Sequence, residues 1–200
     1  MLHQNVAENL PVNRSNNVSV KIRIMLSEFA CDREWKFPLK SHKSILTMSI
    51  SDILHQLSEN LSSYDITLYP SATDRDLTDF EGKLKCPLPD DMKALYRLCN
   101  GFESAEDMFR IIPLEEIGAR LSEYKPNCFY FAEYMIYCDV WEIEISPPNP
   151  NEYWISNPGK AVRLLTQSLA EFLGRFLAKG VFGDGGLYTW HEEVDNQNKP

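Results

Sequence analysis

The chain has 200 residues, 20 Lys and Arg against 29 Asp and Glu, and 44% hydrophobic side chains. That is enough for one domain, or one with an appendage, and a net charge of −9 argues against direct nucleic-acid binding, which needs a basic surface. No stretch approaches the roughly 18 apolar residues of a membrane helix, and the first residues carry neither a basic n-region nor an apolar h-region, so a cytoplasmic protein without a signal peptide is expected.

Residues 1–16 are polar and aperiodic and read as a loose arm. Val18, Val20, Ile22, Ile24 and Leu26 then alternate with polar or flexible neighbours, the period of a strand with one buried face. Trp35, Phe37 and Leu39 repeat the alternation, so Cys31, Asp32 and Arg33 mark the turn of a hairpin. Residues 1–48 carry a net charge of +3 and the remainder −12. This asymmetry predicts an N-terminal β-rich extension over 1–48, distinct from a domain over 49–190 and a polar, frayed tail over 191–200. The extension either lies against the acidic body or is simply solvated.

A helix is predicted over 49–61, with Ile50, Ile53, Leu54, Leu57 and Leu61 on one face and Ser49 or Ser51 as its cap. Thr73 caps a second helix that runs to Leu84 and buries Leu77 and Phe80; Asp74 and Asp76 suit the positive end of its dipole. Cys86-Pro87-Leu88-Pro89 must break it, because each Pro lacks an N–H and restricts its predecessor. A third helix starts at Pro89, with Met92, Leu95, Tyr96 and Cys99 inward, and Asn100-Gly101 is read as its left-handed C-cap. A short strand over 108–112 follows, then a helix over 114–124 and strands over 128–134 and 136–145, rich in aromatic and β-branched residues. A Pro-rich loop over 147–150 leads to a strand over 152–156, and a last helix over 168–179 stops at Gly180. Helices before and after a block of strands, without βαβ alternation, predict an α+β fold with an antiparallel sheet.

The five cysteines (Cys31, Cys86, Cys99, Cys128, Cys138) are odd in number, widely spaced and without a CxxC pair, as in a reduced cytoplasmic protein. The histidines, His3, His42, His55 and His191, stand at no ligand spacing, so neither a metal nor a cofactor is expected. Gly183-Asp184-Gly185-Gly186 lacks the strand before and helix after that a phosphate loop requires, and there is no GxSxG or HExxH. Glu142 and Glu144 share one strand face and Asp139 the other, but nothing beside them marks a nucleophile or a raised pKa; a solvated acidic face is the better reading. No catalytic residue is therefore expected. Most of the Tyr and Trp residues read as core, but Trp141, Tyr153, Trp154 and Trp190 sit beside charged or loop residues, so a few of them are candidate interface anchors.

Several segments occur in a telling order: Ala72-Thr73-Asp74 through Phe80-Glu81, then Leu88-Pro89-Asp90-Asp91-Met92, then Leu95-Tyr96-Arg97-Leu98-Cys99-Asn100-Gly101, then Pro113-Leu114-Glu115-Glu116-Ile117, then Phe129-Tyr130-Phe131-Ala132-Glu133-Tyr134. With the closing helix around Ser168 to Leu173, this order resembles the SUKH superfamily in its Smi/Knr-like branch, over about residues 49–188. Residues 1–48 have no counterpart in that pattern, and 136–141 lack the glycine that many members carry in a turn there. Glu81 is placed to bond back to the Leu88-Pro89 loop or to pair with Arg97, so the motif residues read as fold-making.

The resemblance implies an α+β fold with a central, mostly antiparallel sheet packed by helices, and a non-enzymatic role. Bacterial members are immunity proteins that bind and neutralise a cognate toxin, often a nuclease; eukaryotic relatives are regulatory interaction proteins. The expectation is thus an immunity protein whose acidic surface occludes the basic active site of a toxin, or a regulatory or scaffold module. The partner face is expected at Glu103, Glu106 and Asp107 in the loop after Gly101, at Glu142 and Glu144, and at the aromatic pair Tyr153 and Trp154.

Overall fold

The computed structural model describes residues 48–63, 65–105, 107–159 and 164–197. The strand predicted over 18–26 and its hairpin partner lie outside the described residues. Helix α1 (Ile50–Glu59) and a 3-10 turn (Leu61–Ser63) lead into strand β1 (Ile66–Leu68). Helices α2 (Asp74–Leu84) and α3 (Asp90–Leu98) precede β2 (Phe102–Ser104) and β3 (Phe109–Ile111). Helix α4 (Leu114–Arg120) follows, then β4 (Cys128–Tyr134), β5 (Asp139–Ile145), β6 (Tyr153–Ser156) and β7 (Leu164–Thr166), and the chain closes with α5 (Leu169–Lys179) and α6 (Trp190–Gln197). The seven strands form one sheet in chain order, β1 to β7, with every neighbouring pair antiparallel. The fold is α+β, as the patterning predicts.

The helix starts follow from local chemistry. Ser49 with Asp52, and Thr73 with Asp76, form reciprocal capping boxes that satisfy otherwise orphaned N–H groups. Helix α2 ends on Lys85 in the left-handed conformation, φ 61°. Glu81 then bonds back to the loop, its Oε1 accepting from the Leu88 N–H at 2.7 Å and from Lys93 Nζ at 2.9 Å. Of the two partners foreseen for Glu81, the loop is the one observed; Arg97 pairs with Asp74 at 2.9 Å.

The Asn100-Gly101 pair has a different task from the one its sequence suggests. Helix α3 ends on Cys99 in an extended conformation, so Gly101 is not its cap. Asn100 instead caps the next helix: its Oδ1 accepts from the Leu114 N–H at 3.0 Å and its Nδ2 donates to Glu115 at 2.6 Å. Pro113, at the N-cap of α4, has no side-chain hydrogen bond, so Asn100 supplies the acceptor from across the sheet end. Gly101 has φ 94°, and a Cβ there would sit 2.3 Å from the Ile111 carbonyl oxygen.

The core lies between one face of the sheet and α5. Phe109 stacks on Phe176 with ring centroids 4.3 Å apart, and Phe172 meets the edges of Trp141 and Phe131 at 5.7 and 5.0 Å. Helices α1 and α3 pack against α5 and against each other. The register between β4 and β5 slips between Tyr130 and Ala132, leaving Phe131 as an extra, bulged residue. Beyond the core, Arg175 binds Glu193 at 2.9 Å and lies 4.3 Å over the Trp190 ring. Those contacts tie α6 to α5, so a helix stands where sequence reasoning expects a frayed tail. No described helix is long and apolar enough to cross a membrane.

Candidate functional site

The strands alternate, so residues between the core positions point to the opposite, open side of the sheet. Two cross-strand rows occupy its β4–β5–β6 region. In one, Glu144 is flanked by Cys128 and Trp154; in the other, Glu142 is flanked by Tyr130 and Ser156. Residues directly opposite in such a ladder have Cβ atoms about 4.5–5.5 Å apart, so the side chains of each row are neighbours. Lys125, Pro158 and Leu164 complete the lining of a groove of about 390 Å³ over this region. Three of the expected partner residues, Glu142, Glu144 and Trp154, are thus brought together.

The others are not. Tyr153 is buried at 3% exposure on the core side of β6, one residue and one face away from Trp154. Its hydroxyl donates to the Asp91 carboxylate and accepts from the Leu169 N–H at 2.7 Å, joining α3 to the start of α5. Burial pushes the Asp91 carboxyl up, against the opposing effect of that hydrogen bond. Tyr153 is therefore a structural hub, its ring and hydroxyl committed to the core side of the sheet. Trp141 and Trp190 are buried as well. Glu103 lies in β2, not in a loop, and accepts from the Tyr69 hydroxyl at 3.0 Å. Asp107 turns toward the end of α5, where Oδ1 accepts from the Val181 N–H at 3.4 Å. Glu106 lies outside the described residues.

Sequence reasoning missed a second polar cluster on the open side. Arg110 of β3 is the cross-strand neighbour of Glu103 and of Glu133. It binds Glu133 through Nε and Glu116 of α4 through both terminal nitrogens at 2.8 and 2.7 Å. Arg110 holds the Glu116 carboxyl below its usual range. Tyr137 donates its hydroxyl to Glu116 and its backbone N–H to Glu133, each at 2.6 Å, and Arg120 lies 4.3 Å over its ring. Burial, followed by Glu116, pushes the Tyr137 phenol up to about 12.

This cluster closes the β4–β5 turn without glycine. Met135, Ile136 and Tyr137 all have positive φ, at 53°, 53° and 61°. Each non-glycine residue in that conformation costs on the order of 1–2 kcal/mol, which the Tyr137 bonds to Glu116 and Glu133 offset. The only sequence signal for the cluster was an arginine set among the apolar residues Met108, Phe109, Ile111 and Ile112.

One arrangement has donors of a kind that metals use: a ligand atom from each of Cys128, Glu142 and Glu144 lies within 4.8 Å of the others. Burial, then Glu144 and Glu142, pushes the Cys128 thiol up to about 11, so at neutral pH a cation would have to displace its proton before the sulfur could bind.

A seven-stranded antiparallel meander, backed on one side by helices and carrying an acidic-aromatic groove on the other, defines an α+β domain with an open sheet face. The chain belongs to the SMI1 / KNR4 family (SUKH-1), whose model matches residues 71–175, just over half of its length. The domain of this family is typically a non-enzymatic interaction module, and toxin immunity is a common role for it. A search of curated proteins found no match.

Proposed function

We propose that this chain is a cytoplasmic immunity protein that binds a basic protein toxin, a nuclease by preference, and occludes its active site. The observation that carries the reading is the clustering of Glu142, Glu144 and Trp154 on the open sheet face, within a body of residues whose net charge is −12. Acidic side chains steer a basic partner into encounter, while a half-buried aromatic ring supplies the desolvated contact that slows release. Family membership supports the same reading, and so does the tying of the remaining polar residues into the fold.

The test is co-expression with the toxin-like protein encoded beside the gene. Rescue of growth by this chain, with loss of rescue in Glu142→Lys/Glu144→Lys, is the expected result. Absence of a toxin-like neighbour, together with binding to a cellular regulator, would favour a regulatory module. For a steered encounter the association rate falls steeply with salt, as the screening length drops from about 10 Å at 0.1 M to about 3 Å at 1 M. A rate that does not change with salt would remove electrostatic steering from the mechanism.

A further inference from the structure

We propose that the groove between β4, β5 and β6 is a guanidinium slot that takes an arginine side chain of the protein partner. This rests on the reading of the chain as a protein-binding module. The slot is made by Glu144 as anion, Trp154 as an aromatic wall beside it, and Tyr130 as the aromatic residue of the adjoining row.

Three features fit a guanidinium better than other groups. Glu144 is exposed and directly opposite half-buried Trp154, so a flat cation lying on the indole has its edge toward the carboxylate. Beside Glu144 across the ladder stands Cys128, which is 2% exposed, makes no hydrogen bond through its thiol among the described residues, and has its sulfur within 4.8 Å of an oxygen of each carboxylate. A donor-rich ligand spanning the two glutamates therefore meets no strong donor at that position competing for their oxygens. The two carboxylates stand two residues apart on one strand face with oxygens within 4.8 Å of each other, a gap that a planar guanidinium bridges with donors on separate nitrogens while it lies on the indole, whereas an ammonium reaches both only from one point between them and has no flat face to stack. Glu142 has interactions of its own, so Glu144 carries most of the charge recognition. Lys125 also lines the groove and competes for the same carboxylates.

The slot can be probed with the full chain and a small cation. N-acetyl-arginine amide is titrated into isotope-labelled protein, with N-acetyl-lysine amide and the neutral isostere N-acetyl-citrulline amide as comparators. The expected result is saturable shifts confined to the amides of 128–130, 142–144 and 154 and to the Trp154 indole. Arginine should bind with millimolar affinity, lysine several-fold more weakly, and citrulline without saturation. Glu144→Gln lowers arginine affinity about tenfold, the loss of one charge-assisted contact. Trp154→Phe weakens it less than Trp154→Ala does, and Lys125→Met strengthens it. Equal shifts from arginine and citrulline, shifts scattered over the surface, or an unchanged affinity in Glu144→Gln would each overturn the slot. If arginine fails to bind while the chain still protects cells from a toxin, the slot falls and the proposed function stands; if arginine binds without protection, the reverse holds.

Discussion

Gly101→Ala is the substitution whose cost the structure defines most closely. The residue has φ 94°, where an L side chain is strained by about 1–2 kcal/mol. A Cβ there would lie 2.3 Å from the Ile111 carbonyl oxygen, with the Ile111 and Ile112 carbonyl carbons at 3.2 and 3.3 Å. All three are backbone atoms, so no side chain can swing away. Relief requires the chain before β2 to move by nearly 1 Å from β3. That movement stretches the Tyr69 N–H bond to the Gly101 carbonyl, 3.0 Å long, and the Asn100 cap of α4 beside it. Two weakened hydrogen bonds at about 1 kcal/mol each, added to the conformational strain, give a loss of about 3–4 kcal/mol. For a domain of this size that is a fall in Tm of roughly 6–16 °C. Gly82→Ala is the internal control. It sits in α2, and a Cβ added there would meet nothing within 4 Å, so alanine should stabilise by about 0.5–1 kcal/mol through helix propensity. Thermal melts of both variants decide the matter. A Gly101→Ala melt that matches the parent would refute the close approach of the chain to β3.

Arg110→Met should destabilise by about 3–5 kcal/mol, because it leaves Glu133, 4% exposed, and Glu116 charged without their cation; adding Glu133→Gln should recover part of the loss, as chemical denaturation will show. Tyr153→Phe removes the hydroxyl that links the Asp91 carboxylate to the Leu169 N–H, leaving Asp91 its bond from the Met92 N–H at 2.8 Å, and should cost about 1–3 kcal/mol, with hydrogen exchange rising first at the start of α5. Because Glu116 has a lowered carboxyl pKa in the folded protein, its contribution is present above the ordinary value of 4.5 and is lost as pH falls through the depressed folded value. Glu116→Gln should therefore flatten the acid limb of the stability–pH curve below about pH 4.5, and an unchanged limb would argue against the ion pair.

Elements with a long periodic signal were readable from sequence. The strand over 128–134 and the helices capped at Ser49, Thr73 and Ser168 carry their own alternation or capping chemistry, and all are present. Strands β1, β2 and β7, with three residues each, hold less than two periods of alternation, and only pairing across the sheet makes them strands. That is why Glu103 read as a loop residue. The strand predicted from Ile136 starts at Asp139, because Met135 to Tyr137 adopt a left-handed turn that their side chains disfavour and that contacts with Glu116 and Glu133 impose. Tyr153 and Trp154 look equivalent in sequence. They part because a strand sends successive side chains to opposite faces, and which face is buried depends on Asp91, 62 residues away. Glu142, Glu144 and Trp154 were legible as chemistry but not as one site; the register of β5 against β6 makes them neighbours.

The chain-ordered meander bears on how the protein is made. Strands β1 to β7 leave the ribosome in the order in which they pair, so each new strand finds its neighbour already waiting. The helix that covers the aromatic face is synthesised after all of them. Until residues 169–179 emerge, Phe109, Phe131 and Trp141 have no Phe172 or Phe176 against which to pack. The nascent sheet is thus assembled early and sealed late, and its apolar face is the surface a chaperone would engage during that interval. A chain released before α5 is complete exposes that face as a sticky sheet, whereas one released just after it can close.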